Sequence, residues 1–190
     1  MPFNKARFYS ALLGLSAMAC PALADPQLSF ATASGTVQQG SSVDVQVMIS
    51  GITDLYGYNF SLTYDPAKLQ LASVTQGSFL SSGGATIYDG GDLSTPGLVF
   101  YNFGSLVGAV PGVSGSGVLA TLHLNAIGLG TSELAFSASD LSFVNSALAD
   151  IAVQGVNGSL SVTAVPEPGR YLLLLAGLAG VGVLRRRQAA

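Results

Sequence analysis

Cysteine occurs once in this 190-residue sequence, at Cys20, histidine once, at His123, and tryptophan not at all. A lone thiol closes no intramolecular disulfide, so the fold must be stabilised by its core. Charge is scarce as well, at 9% of residues, and basic residues are scarcest where the chain is longest. Between residues 25 and 165 there are nine acids (Asp25, Asp44, Asp54, Asp65, Asp89, Asp92, Glu133, Asp140 and Asp150) against one base, Lys68, a net charge of −8. Such a surface repels phosphate backbones, which excludes nucleic acid as a partner. Catalytic constellations are missing too. There is no Gly-x-Ser-x-Gly elbow, and neither Gly83-Gly84 nor Gly90-Gly91 is followed by the Lys-Ser/Thr of a phosphate cradle. The expectation is a non-catalytic chain without a cofactor. His123 is one more residue of a strand, and Asp89 and Asp92, set in Asp-Gly-Gly-Asp, are turn residues and at most a weak pair of candidate calcium ligands.

Long apolar runs are absent from that middle region and confined to the two ends. At the N-terminus Lys5 and Arg7 precede an apolar stretch from Phe8 to Ala19, and Ala22 and Ala24 supply small residues for cleavage before Asp25. This is the layout of a secretory signal peptide over residues 1–24, removed by signal peptidase. Cys20 would leave with it. A lipobox reading of Cys20 is poor, because the residue three before it is Ala17 rather than a Leu-like one. At the C-terminus Val165, Pro166, Glu167 and Pro168 are followed by an uncharged run, Tyr171 to Leu184, and by Arg185, Arg186 and Arg187. The prolines fix φ and remove donors, keeping the segment extended and open to a processing enzyme. The run predicts a membrane helix over 171–184, about 21 Å long at ~1.5 Å per residue and so short for a ~30 Å hydrocarbon core. The arginines favour its cytoplasmic side, leaving everything upstream outside.

Residues 165–190 closely resemble the PEP-CTERM sorting signal of Gram-negative, exopolysaccharide-producing bacteria. That resemblance implies recognition and cleavage by an exosortase, membrane anchorage before processing, and a final place at the cell surface or in the extracellular matrix.

Residues 25–164 read as one domain of short strands. Val43, Val45, Val47 and Ile49 alternate with polar residues and Met48; Tyr56, Tyr58, Phe60, Leu62 and Tyr64 form a second such row, and Val118, Ala120, Leu122 and Leu124 a third. Period two means strands with one buried face, so Phe60 is expected inside, flanked by Tyr58 and Leu62. Turn signals recur at Gln39-Gly40-Ser41, Asp65-Pro66, Ser82-Gly83-Gly84, Asp89-Gly90-Gly91-Asp92 and Gly115-Ser116-Gly117. Asn157-Gly158 is the best candidate for a two-residue hairpin. With no helix of ordinary length, the expected fold class is all-β, a sandwich or jelly roll.

The run from Gly57 to Val74, with its aromatic-rich strand ending in Tyr64-Asp65-Pro66 and Leu69 opening the next strand, resembles the third and fourth strands of a cohesin domain. Gly40-Ser41-Ser42-Val43, Leu98-Val99-Phe100-Tyr101 and Gly117-Val118-Leu119-Ala120-Thr121-Leu122 resemble, in order, the start of strand two, strand six and strand eight. The resemblance implies a jelly-roll β-sandwich of about nine strands, of the kind shared with carbohydrate-binding modules, lying between the signal peptide and the C-terminal transmembrane helix. It implies a dockerin-like protein partner, bound by the outward residues of strands three, five, six and eight. Those positions are Asn59, Ser61 and Thr63, then Tyr88, then Tyr101 and Phe103 (outward if Phe100 is buried), then Leu119, Thr121 and His123. An exopolysaccharide is the alternative partner, although the absence of tryptophan disfavours ring stacking. The pattern departs from the family at Asn59 and Gly104, where many cohesins carry an acid.

Overall fold

A computed structural model describes residues 25–31 and 34–165, with Gly169 and Gly177 singly beyond them. The expected signal peptide with Ala22 and Ala24, the Pro166–Pro168 motif, the arginine triplet and the run 171–184 lie outside these residues, apart from Gly177. Among the described residues no helix is long and apolar enough to cross a membrane.

Eleven strands follow one another: β1 (Gln27–Phe30), β2 (Ser34–Gln38), β3 (Ser42–Thr63), β4 (Leu69–Gln76), β5 (Thr86–Asp89), β6 (Leu98–Leu106), β7 (Val113–Ala126), β8 (Gly130–Phe136), β9 (Ser142–Asn145), β10 (Gln154–Gly155) and β11 (Gly158–Thr163). One helical turn, α1 (Ser78–Ser81), follows β4, and a 3-10 turn (Ala138–Asp140) lies between β8 and β9.

The strand β3 organises the molecule. Two of the expected strands are here one 22-residue element that bends in the middle, where Gly51 and Asp54 take left-handed backbone angles (φ of 68° and 58°). Its first half pairs with β1 and β7, and β4 and β10 extend that layer to β4-β7-β3-β1-β10. Its second half pairs with β6, β9 and the end of β8; β5, β11 and β2 complete a second layer. The bend thus folds one strand into both sheets of a sandwich. The count exceeds nine because short pieces, β1 with β2 and β8 with β9, divide the work of single strands between neighbours.

The two inner faces meet in one core. Val47, Ile49, Phe60, Leu62, Leu69 and Ala120 are fully buried, with Leu122 and Leu124 almost so. Phe30 of the first layer stacks on Phe136 of the second at 4.6 Å between centroids. Tyr58 spans the gap, its hydroxyl donating to the Leu119 carbonyl at 3.0 Å. Its burial pushes the phenol strongly upward from the ordinary value, so it stays protonated. Phe60 lies between Tyr58 and Leu62 on the inner side, as expected.

The Tyr64-Asp65-Pro66 motif works as a strand terminator. Asp65 Oδ1 accepts from Ala67 N at 2.9 Å, the carboxylate pairs with Lys68, and the Asp65 carbonyl receives Lys68 N and Leu69 N. Asn157-Gly158, in contrast, makes no hairpin. β10 and β11 go to different layers, and the Asn157 side chain accepts from Phe136 N at 3.1 Å instead.

Candidate functional site

Strand register decides which residues share the outer face of the second layer. Ile87, Ser105, Gly57 and Val144 stand opposite one another across β5, β6, β3 and β9, and Asp89, Phe103, Asn59 and Ser142 form the next row. Tyr58, Gly104 and Tyr88 make up the intervening row, which faces the core. Asn59 and Phe103 are therefore outward neighbours, as expected, and Thr63 is exposed at the end of the same strand. Tyr88 must be corrected. It points inward, where its hydroxyl accepts from Asn102 Nδ2 at 2.9 Å and burial raises its pKa. Gly104 in the same row leaves room for the Tyr58 ring, which an added Cβ would meet at 2.7 Å. Ser61 is outward by alternation yet fully buried, since Tyr101 N donates to its Oγ at 3.0 Å and Ser137 N to its carbonyl.

The cause of the Ser61 arrangement is a bulge. Between Phe60 and Leu62 of β3, β6 passes from Asn102 to Val99, one residue more than its partner. Tyr101 takes a left-handed φ of 62° to fit. Both Phe100 and Tyr101 are thereby exposed (46% and 49%), with ring centroids 5.6 Å apart and planes tilted by 46°. The condition that Phe100 be buried is not met, although Tyr101 is exposed all the same. Asn102 is the residue turned in, with its Oδ1 buried and without a hydrogen-bond partner among the described residues.

Leu119, Thr121 and His123 do not join this face. The strand that carries them, β7, lies in the first layer beside β4 and the first half of β3. A second bulge, where Val47 and Met48 pair with Ala120 and Val118, turns Leu119 inward, and it is 1% exposed. Thr121 and His123 face outward from the opposite side of the sandwich. There His123 clasps three strands, with Nδ1 2.6 Å from Asp44 Oδ1 on β3 and Nε2 3.0 Å from Thr75 Oγ1 on β4.

Sequence reasoning missed Ile87, exposed at 61%, together with Asp89, Ser105, Val144 and Leu148. Four residues of β5 carry too little periodicity to reveal their phase. Gly57, between Ser105 and Val144, leaves a shallow groove of about 300 Å³ between Phe103, Asn59, Val144 and Leu148. The face is thus an open pleated surface with apolar side chains, a central groove and one edge carboxylate. The calcium expectation finds no support in side-chain geometry. Asp89 Oδ1 accepts from Gly91 N and Asp92 Oδ1 from Ser94 N, and among the described residues no group of three or more His, Cys, Asp or Glu converges.

The described residues thus form an all-β sandwich with almost no helix. The cohesin-domain family profile matches residues 26–162, and this chain belongs to that family. Cohesin domains are protein–protein interaction modules. Similar solved structures include the sixth cohesin of scaffoldin B from Acetivibrio cellulolyticus, in complex with the Cel5 dockerin (26% identity, TM-score 0.59, covering 74% of this chain and 100% of that one). The seventh ScaB type I cohesin from Pseudobacteroides cellulosolvens is 17% identical with a TM-score of 0.62, covering 76% and 96%. A non-cellulosomal cohesin from the hyperthermophilic archaeon Archaeoglobus fulgidus is 18% identical with a TM-score of 0.57, covering 78% and 97%. No curated protein matches the chain.

Proposed function

We propose that this chain is an exported cohesin module that binds a dockerin or dockerin-like protein through the outer face of β5, β6, β3 and β9. The observation that supports this most is the register that gathers Phe103, Gly57 and Val144 around one groove, with Ile87 across Ser105 from it and Tyr101 and Phe100 further along β6. Aromatic and aliphatic anchors around a central pocket are what dominate protein interfaces. A sugar-binding reading would draw on the same two rings, but planes tilted by 46° offer no flat platform for successive pyranose units. The C-terminal signal would deliver the module to the cell surface. There, anchorage by 171–184 would precede exosortase cleavage in an exopolysaccharide-associated setting.

The test is calorimetric titration of the domain with a panel of purified dockerins and, separately, with the exopolysaccharide of the same organism. The expected result is dockerin binding that survives Thr121→Asp on the opposite sheet and is lost in Ile87→Asp with Tyr101→Asp. Dockerin binding indifferent to the Ile87 and Tyr101 changes would overturn the surface assignment. Binding of polysaccharide alone would overturn the partner.

A further inference from the structure

The two ends of the sandwich differ. Strand β1 starts at the end where Gln27 pairs with Ser50, so Asp25 leaves from there. Strand β11 finishes at the other end, where the Thr163 carbonyl receives Gln39 N, and the Gln39 side chain donates to the Ile127 carbonyl at 2.9 Å. At that second end the β3–β4, β5–β6 and β7–β8 connections pack together. Tyr64 N donates to the Gly97 carbonyl, and Ile127 N and Gly128 N both donate to the Lys68 carbonyl. Their tips carry apolar side chains into solvent: Leu93 is 37%, Ile127 46% and Leu129 54% exposed. A groove of about 350 Å³ between Pro66, Leu71, Leu93, Pro96 and Ile127 joins Leu93 to Ile127. Lys68, the single base between residues 25 and 165, also sits here, paired with Asp65, while Asp89 and Asp92 flank the turn that leads to Leu93.

We propose that this end is a lipid-facing surface, with Leu93, Ile127 and Leu129 seated in the interfacial region of a neutral bilayer while segment 171–184 holds the chain there. The proposal rests on the reading of 171–184 as a membrane segment. What commits it to a membrane is the length and position of the connecting chain. Only residues 164–170 separate the end of β11 from the apolar run. At ~3.3–3.6 Å per residue they reach at most about 25 Å. The patch beside Thr163 is therefore held within that distance of the headgroups, at high effective concentration, and exposed Leu and Ile side chains partition there. Val107 and Leu148, exposed at the opposite end, point away, and the row of Ile87, Ser105, Gly57 and Val144 lies towards that opposite end, while Phe100 is bonded to Asp92 beside the patch.

The chain from Asp25 to Ala190, which lacks Cys20, reconstituted in phosphatidylcholine vesicles containing a spin-labelled lipid, tests this. A fluorophore is placed in turn on Leu129→Cys, on Val107→Cys and on Leu178→Cys within the apolar run. Burial to a depth of ~5–10 Å should cost the position-129 probe more than about half its emission, with position 178 quenched at least as much and position 107 unaffected. Quenching at 178 with none at 129 would overturn the lipid-facing end and leave the membrane segment standing. A blue shift at 129 without quenching would do the same, the chain's own tail or another protein being the cover. Equal quenching at 129 and 107 would overturn the orientation. No quenching at 178 would refute the membrane reading, and this proposal with it.

Discussion

Tyr101 shows how much one residue can decide. A bulky non-glycine residue at φ of 62° costs about a kcal/mol or more, and here the surrounding hydrogen bonds enforce it: Tyr101 N is held by Ser61 Oγ, and Phe100 exchanges two backbone bonds with Asp92. The energy goes into presenting a ring. Tyr101→Gly should therefore relieve backbone strain and leave the melting temperature at or above wild type, while weakening partner binding more than tenfold in calorimetry. Phe60 is the opposite case, with no exposure and rings on both sides. Phe60→Ala should cost ~3–5 kcal/mol in denaturant unfolding, out of the ~5–15 kcal/mol a domain of this kind possesses.

Asp54 is a third such residue. Its carboxylate accepts from Ser146 Oγ and from Gly112 N, both at 2.7 Å, tying the bend of β3 to two loops. Those bonds, the Ser146 hydroxyl first, hold its pKa below the ordinary 3.8. A carboxyl depressed in the folded state stabilises above its unfolded pKa, and that contribution is lost as pH falls through the folded value. Thermal unfolding of wild type and Asp54→Asn should thus differ most above pH 4 and converge in stronger acid.

At the scale of elements, the loop between β5 and β6 is bound to the bulge it covers. Gly91 has φ of 86°, and an added Cβ would lie 2.7 Å from the Phe100 carbonyl and 3.0 Å from Asn102 N, both backbone atoms that cannot swing aside. Gly91→Ala should accordingly lower stability by more than the ~1 kcal/mol of a simple glycine effect, and should also weaken binding through the displaced Phe100 and Tyr101. A variant that melts lower but binds the partner undiminished would separate the loop from the site. The same scale explains which expectations held. The rows beginning at Val43 and Tyr56 are long, regular and inward as read. The β6 and β7 rows were read correctly only up to their bulges, at Phe100-Tyr101 and at Leu119, beyond which inside and outside exchange.

For the whole molecule, chain direction and charge set the arrangement. The chain enters the sandwich at one end, at Asp25, and leaves it after β11 at the other, so under the proposed processing both cleavages fall outside the described sheets. Mass spectrometry of the surface form should find Asp25 as the first residue and an end between Val165 and Arg170. Replacing Pro166, Glu167 and Pro168 by alanine should leave the precursor in the membrane. An exported form retaining Ala190 would contradict the processing.

The sequence by itself determined the all-β class, the single disulfide-free domain, the strand–turn order and the Tyr64-Asp65-Pro66 terminator, because alternation and turn chemistry are local properties carried by neighbouring residues. Which strands lie side by side is not local. The pairing of β5 on β6 gave the face Ile87 and Asp89 in place of Tyr88. The seat of β7 in the other layer took Thr121 and His123 away from it, and the bulge at Leu119 buried a residue read as outward. A pleated strand offers two equivalent sides, and only its neighbours and one extra residue at a bulge decide which side meets the core.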